Sequence, residues 1–148
     1  MPTADQVKMR VLKMLSNHMS VRIDDDGDIL TTHESAVCWV RVKEWGKATD
    51  EGMDVVIQVI APILWDVKRT PALYEWVATE GQSFVFGHVA CNSNSNASLT
   101  NLFFEHAILG DNVDEPEIVH SVFIMLTTAN KLDDDLIGRF GGRKSIND

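Results

Sequence analysis

Hydrophobic and polar positions along this chain repeat with two periods, and the longest apolar run sets the frame for the rest. Residues 53–65, MDVVIQVIAPILW, carry one polar side chain, Gln58, between Val55 and Trp65. Their β-branched content argues for a strand. Alternation places Met53, Val55, Ile57, Val59 and Ala61 on one face and Asp54, Val56, Gln58 and Ile60 on the other, the pattern of a central strand covered on at least one side. Pro62 has no N–H to give to a ladder, so regular pairing is expected to weaken there.

Helical periods flank this strand. Thr3 and Gln6 have capping-box spacing, and behind them Val7, Val11, Met14, Leu15 and His18 share one face of a helix of about four turns. Met9, Met14 and Met19 suit gap filling in a core, or else an adaptable binding surface. The stretches 21–24 and 28–32 flank an Asp-Gly turn, a hairpin signal that calls for positive φ at both turn positions. Asp24, Asp26 and Asp28 also invite a calcium reading, but an EF-hand alignment puts Ile29 at the required glycine and Ser35 at the bidentate glutamate, which decides for a turn. Residues 36–43 alternate, with Ala36, Cys38, Val40 and Val42 opposite Val37, Trp39, Arg41 and Lys43, so Trp39 is a candidate surface aromatic. A polar connection over 44–52 then enters the central strand.

Thr70-Pro71 caps and starts a second helix, which is expected to reach about Glu80 and to stop at a left-handed Gly81; Leu73, Trp76 and Val77 form its apolar face. Residues 83–90 read as a strand with Phe84, Phe86 and His88 on one face. The NSNSNAS loop at 92–98 contains Asn96-Ala97-Ser98, formally a glycosylation acceptor. Residues 99–109 form the next strand, with large apolar groups on both faces at Leu102, Phe103 and Phe104. Asp114 and Glu117 start a last helix of about six turns, in which Ile118, Val122, Met125, Ala129, Leu132 and Leu136 recur at helical spacing; Asp133, Asp134 and Asp135 oppose its dipole, so fraying is expected beyond Leu132. The order is therefore helix, three strands, helix, two strands, helix, the first three strands forming a meander. The first and third helices are expected on the face of Met53, Val55, Ile57 and Val59.

Composition narrows the function. The 148 residues, 45% hydrophobic and 24% charged, suit one domain, over 1–142, with a polar tail at 143–148. Thirteen basic against 22 acidic residues give a net charge of −9, which disfavours nucleic acid and anionic membranes as partners. Cys38 and Cys91 form no CxxC pair and read as buried thiols in a reducing compartment, with a disulfide between them as the other reading. The N-terminus lacks a signal-peptide pattern and no apolar run approaches the roughly 20 residues of a membrane span, so a cytoplasmic location is expected. GxSxG, P-loop and HExxH motifs are absent. His88, Cys91, His106 and His120 announce no zinc set, His33 and Glu34 form only a chance acid–base pair, and the glycines at 138–142 follow a helix where a phosphate cradle precedes one. Neither metal, cofactor nor catalysis is expected.

The element order and the stretch 99–142, LTNLFFEHAILGDNVDEPEIVHSVFIMLTTANKLDDDLIGRFGG, resemble the type III secretion chaperones and the YbjN-like peptide-binding chaperones, actinobacterial members in particular. The resemblance implies an α+β fold, a two-layer, five-stranded, mainly antiparallel twisted sheet with helices packed on one side. It also implies a homodimer that offers apolar surface and strand edges to an extended client peptide. Val37 and Trp39 on the outer strand face, with Trp45 and Trp65 near strand ends, are the candidate peptide-binding residues; core or dimer packing is the other reading of each tryptophan. The alternative function is a small-ligand sensor or enzyme with a pocket between sheet and helices, using Cys91, His88 or His106. An open apolar groove beside a free strand edge favours the first, and an enclosed pocket of convergent polar groups the second.

Overall fold

In the computed structural model, which describes residues 2–33, 36–49 and 52–144 with the side chains of 47–49 and 52–53 left aside, the Thr3 hydroxyl accepts from Gln6 N at 3.2 Å while the Gln6 side chain accepts from Thr3 N at 2.9 Å. This capping box starts helix α1, Ala4–Ser16, whose Val7, Val11 and Leu15 are fully buried. Six strands follow: β1 Ser20–Ile23, β2 Ile29–His33, β3 Ala36–Thr49 and β4 Gly52–Lys68, then, after helix α2 Pro71–Ala78 and a 3-10 turn at Glu80–Gln82, β5 His88–Asn92 and β6 Leu99–Leu109. Helix α3, Glu115–Phe140, closes the fold. All neighbours pair antiparallel, in the order β1-β2-β3-β4-β6-β5.

Both long helices lie on one face of the sheet, against Val55, Ile57, Val59 and Ala61 of β4, Cys38 and Val40 of β3, and Leu102 and Phe104 of β6, all buried. Strand and helix stripes each hide the other's apolar surface, which makes a two-layer α+β domain. The side chain of Met53, expected on that face, lies outside the described residues, as do Glu34, Ser35, Asp50 and Glu51.

Several expectations need correction. Among the described residues the sheet has six strands and the order helix, four strands, helix, two strands, helix, because the two arms of the Asp-Gly hairpin are separate strands, the four residues of β1 pairing in full with β2. The turn between them has positive φ at Gly27 alone: Asp24 N donates to Asp28 O at 2.9 Å and Gly27 N to Asp24 O at 3.1 Å, the form of a three-residue hairpin loop with one left-handed residue. Residues 83–87 are no strand; the chain bends at Val85 and Phe86 and passes through Gly87 at φ 87°, and Phe84 lies edge-on against Phe104 at 5.1 Å. Gly81 is not left-handed. It is buried where a Cβ would come 3.2 Å from that of Val89, so close packing explains the glycine. Helix α3 continues past Leu132 to Phe140, with Leu136 fully buried, and its acidic triplet is answered by Lys144 on Asp133 and Asp134 and by Arg139 on Asp135. Cys38 and Cys91 are both free thiols.

Candidate functional site

Because both long helices pack on one side, no helix among the described residues covers the other face of the central strands. Register across it is direct. Trp39 of β3 lies opposite Ile60 of β4, Ile60 opposite Glu105 of β6, and Glu105 opposite His88 of β5. One step along, Arg41, Gln58 and Ala107 form a parallel row. A groove of about 440 Å³ runs over these rows, with Trp39, Ile60, Trp65 and Phe103 as its apolar part and Asp24, Asp26, Asp28, Asn101 and Glu105 among its polar walls.

Trp65 reaches this face through a break in the pleat. Strict alternation from Val55 puts it among the core residues, but register shifts between Pro62 and Leu64 and between Leu64 and Val67 bury both Ile63 and Leu64 and turn Trp65 the other way. Its ring meets Phe103 edge-on at 5.2 Å, and Phe103 lies 6.5 Å from Trp39, so three strands contribute one aromatic cluster.

Two polar assemblies hold the groove's ends. At one, Asp28 accepts a forked pair of bonds from Arg41, Nε at 3.1 and 3.2 Å and Nη2 at 2.8 Å. That bond holds the Arg41 guanidinium above its ordinary range. The Asp24 carboxylate accepts from the backbone of Asp26 and Asp28, which shapes the adjoining turn. At the other end Asp66, a non-glycine residue at φ 56°, is tied down on all sides. Its N–H donates to Asn101 Oδ1 at 3.1 Å, and its carboxylate accepts from Asn94 at 2.6 Å and from Arg143 at 2.6 Å. The Asn94 bond and then Arg143 hold that carboxyl below the usual range. Trp65 and Arg143 exchange backbone bonds of 2.8 and 2.9 Å, so the end of the chain clamps the strand that presents Trp65.

Sequence reasoning missed Phe103, Arg41 and the Asp66 knot as parts of this site. The alternation at 102–104 was the available signal for Phe103, whereas the knot joins residues as far apart as 66 and 143. Of the four candidate residues the groove lining contains Trp39 and Trp65. Val37 is on the same face, opposite Thr32. Trp45, 71% exposed, stands at the irregularity between Glu44 and Gly46 in the second half of β3, and Leu109 at the end of β6 is also exposed. Beside it runs a free edge: β2 pairs with β3 only as far as Val40, and among the described residues no strand pairs with the outer side of β3 beyond that point.

The residues of the enzyme reading do not converge. Cys91, opposite Leu102, packs against the core side, where burial raises its thiol pKa. His106 stacks on Phe86 at 3.7 Å, and burial, then His88, lowers its imidazole pKa. His88 faces Glu105 at 3.8 Å on the other side. Among the described residues no three His, Cys, Asp or Glu side chains are grouped to hold a metal ion. Asn96 binds back to Ser98 N at 3.0 Å in a local turn. Chemically, the face offers aromatic contact, hydrogen bonds and charge.

A family model for type III secretion (YopN, CesT) and YbjN peptide-binding chaperones, TY-Chap1, matches residues 3–148. Among solved structures, the crystal structure of YbjN from E. coli, described as a candidate transcription regulator, is similar with a TM-score of 0.54 and 12% identity, over 94% of this chain and 95% of that one. No curated protein matches the sequence.

Proposed function

We propose, from the premise that this chain belongs to the TY-Chap1 family of type III secretion and YbjN peptide-binding chaperones, that it is a non-enzymatic module holding an extended client segment on the uncovered face of its sheet. The observation that carries this reading is the groove across β3, β4 and β6 beside the unpaired outer edge of β3. An extended chain there gains backbone hydrogen bonds from the edge and side-chain contacts from the aromatic cluster. Trp39 and Trp65 are the anchors of the groove, and Val37 and Trp45 extend the surface along β3. Two copies acting as a homodimer in the cytoplasm complete the proposal. A role on DNA finds less support, since a net charge of −9 opposes approach to phosphates.

Scanning immobilised extended peptides with the purified chain, followed by chemical-shift mapping of one captured peptide, tests the reading. Shifts concentrated on β3, β4 and β6 are expected. Trp39→Ala is expected to weaken binding by about 2 kcal/mol or more while the fold survives. Undiminished binding by a stably folded Trp39→Ala protein removes Trp39 from the site, and shifts confined to the helical face overturn the proposal.

A further inference from the structure

The groove carries more charge than an apolar peptide needs. Four carboxylates line it, those of Asp24, Asp26, Asp28 and Glu105, while its one basic lining residue among those described, Arg41, is already engaged by Asp28 in a forked pair. Asp24 and Asp26 share the field of that one guanidinium, and Glu105 on β6 faces the His88 imidazole at 3.8 Å, so the described lining keeps a surplus of negative charge on both sides of Trp39. Aromatic faces attract a cation through their quadrupole, and the attraction grows as water is displaced from between them. A carboxylate within reach of the same cation adds a charge-assisted hydrogen bond, and a cleft lined by one sign of charge focuses its field on an approaching partner.

We infer that the occupant of this groove is an extended segment bearing an arginine or lysine next to its apolar anchor, with the cation over the Trp39–Phe103 surface and against Asp26 or Glu105. The inference rests on the peptide-binding reading above and adds the chemical class of the client. Neutral apolar segments fill the aromatic part and leave the surplus of negative charge unanswered. Acidic segments meet like charge on both sides, and for them the groove is closed electrostatically. Selection of basic clients follows from the lining alone, and the overall charge of −9 works in the same direction at longer range.

The experiment compares three fluorescein-labelled peptides of alternating leucine and threonine that differ only in a central arginine, glutamine or glutamate. Each is titrated with the full chain, with Asp26→Asn, with Glu105→Gln and with Trp39→Ala. Asp26→Asn changes only a turn side chain, and thermal unfolding checks the fold of each variant. The arginine peptide is expected to bind about tenfold more tightly than the glutamine peptide, and the glutamate peptide more weakly than both. That preference is expected to shrink in Asp26→Asn or Glu105→Gln and with rising salt. Equal binding of all three peptides, still dependent on Trp39, overturns this inference and leaves the peptide-binding site standing. Binding by none of them overturns both.

Discussion

At the residue scale, Asp28 and Arg41 show how a charge is kept under the edge of a groove. Asp28 is 8% exposed, and Arg41 supplies all three of its bonds to a side chain, while the Arg41 side chain itself is about half exposed. Arg41→Leu leaves a desolvated carboxylate and is expected to lower stability by about 1–3 kcal/mol; Asp28→Asn strands only a hydrated guanidinium and costs less. Urea unfolding of the two variants checks the order, and a smaller loss for Arg41→Leu contradicts it. His106 adds a pH dependence. Its pKa is lowered from 6.5 by burial, then by His88, so between 6.5 and the lower folded value the unfolded chain binds a proton that the folded chain refuses. Stability is therefore complete above about pH 6.5 and falls as the pH drops through the folded value. Thermal unfolding from pH 8 to pH 5 is expected to show a decline that His106→Gln reduces.

At the element scale, the C-terminal strap is the sharpest test. Gly142 has φ 88°, and a Cβ there would sit 2.7 Å from the Trp65 carbonyl and 2.8 Å from Val67. Gly142→Ala is expected to cost about 1–3 kcal/mol and to speed hydrogen exchange at the Trp65 amide, which donates to Arg143. Unchanged exchange means that the strap does not hold β4. This element also marks where the sequence becomes opaque. The helical stripes, the cap residues Thr3, Thr70 and Asp114, and the buried face from Val55 to Ala61 follow from period and local chemistry, and the alternation at 36–42 puts Trp39 on the outer face. Trp65 does not follow, because two register shifts after Pro62 reverse its side. The length of α3 does not follow either, because Lys144 reaches Asp133 and Asp134 from beyond the helix, although the Asp135–Arg139 pair at i and i+4 is a local signal. Parity reads a strand only while the pleat is unbroken, and neither the knot around Asp66 nor the groove has a local signature.

At the scale of the whole molecule, exposed apolar groups at Met9, Trp45, Leu109 and Ile124 remain after the core has formed. Surplus of this kind on a protein usually marks an interface, and closed twofold symmetry is its commonest form. Light scattering at micromolar concentration is expected to give the mass of two chains; a single-chain mass that does not change on dilution rejects the dimer. The outer edge of β3 has another consequence. An unpaired strand is also a template for uncontrolled growth, in which copies add edge to edge into fibrils. Here the ladder is interrupted where Glu44 and Gly46 pair with the consecutive residues Val55 and Asp54, leaving Trp45 as the extra residue, and Lys43 and Glu44 carry charge beside it. Deleting Trp45 removes the first of two such irregularities, the second lying between Gly46 and Thr49, and the shortened chain is expected to form thioflavin-binding aggregates sooner than the parent. If the edge serves the proposed client, the irregularity in β3 is a safeguard on shelf life: it would keep an adhesive edge open to one short visitor while denying it to an endless stack of its own kind.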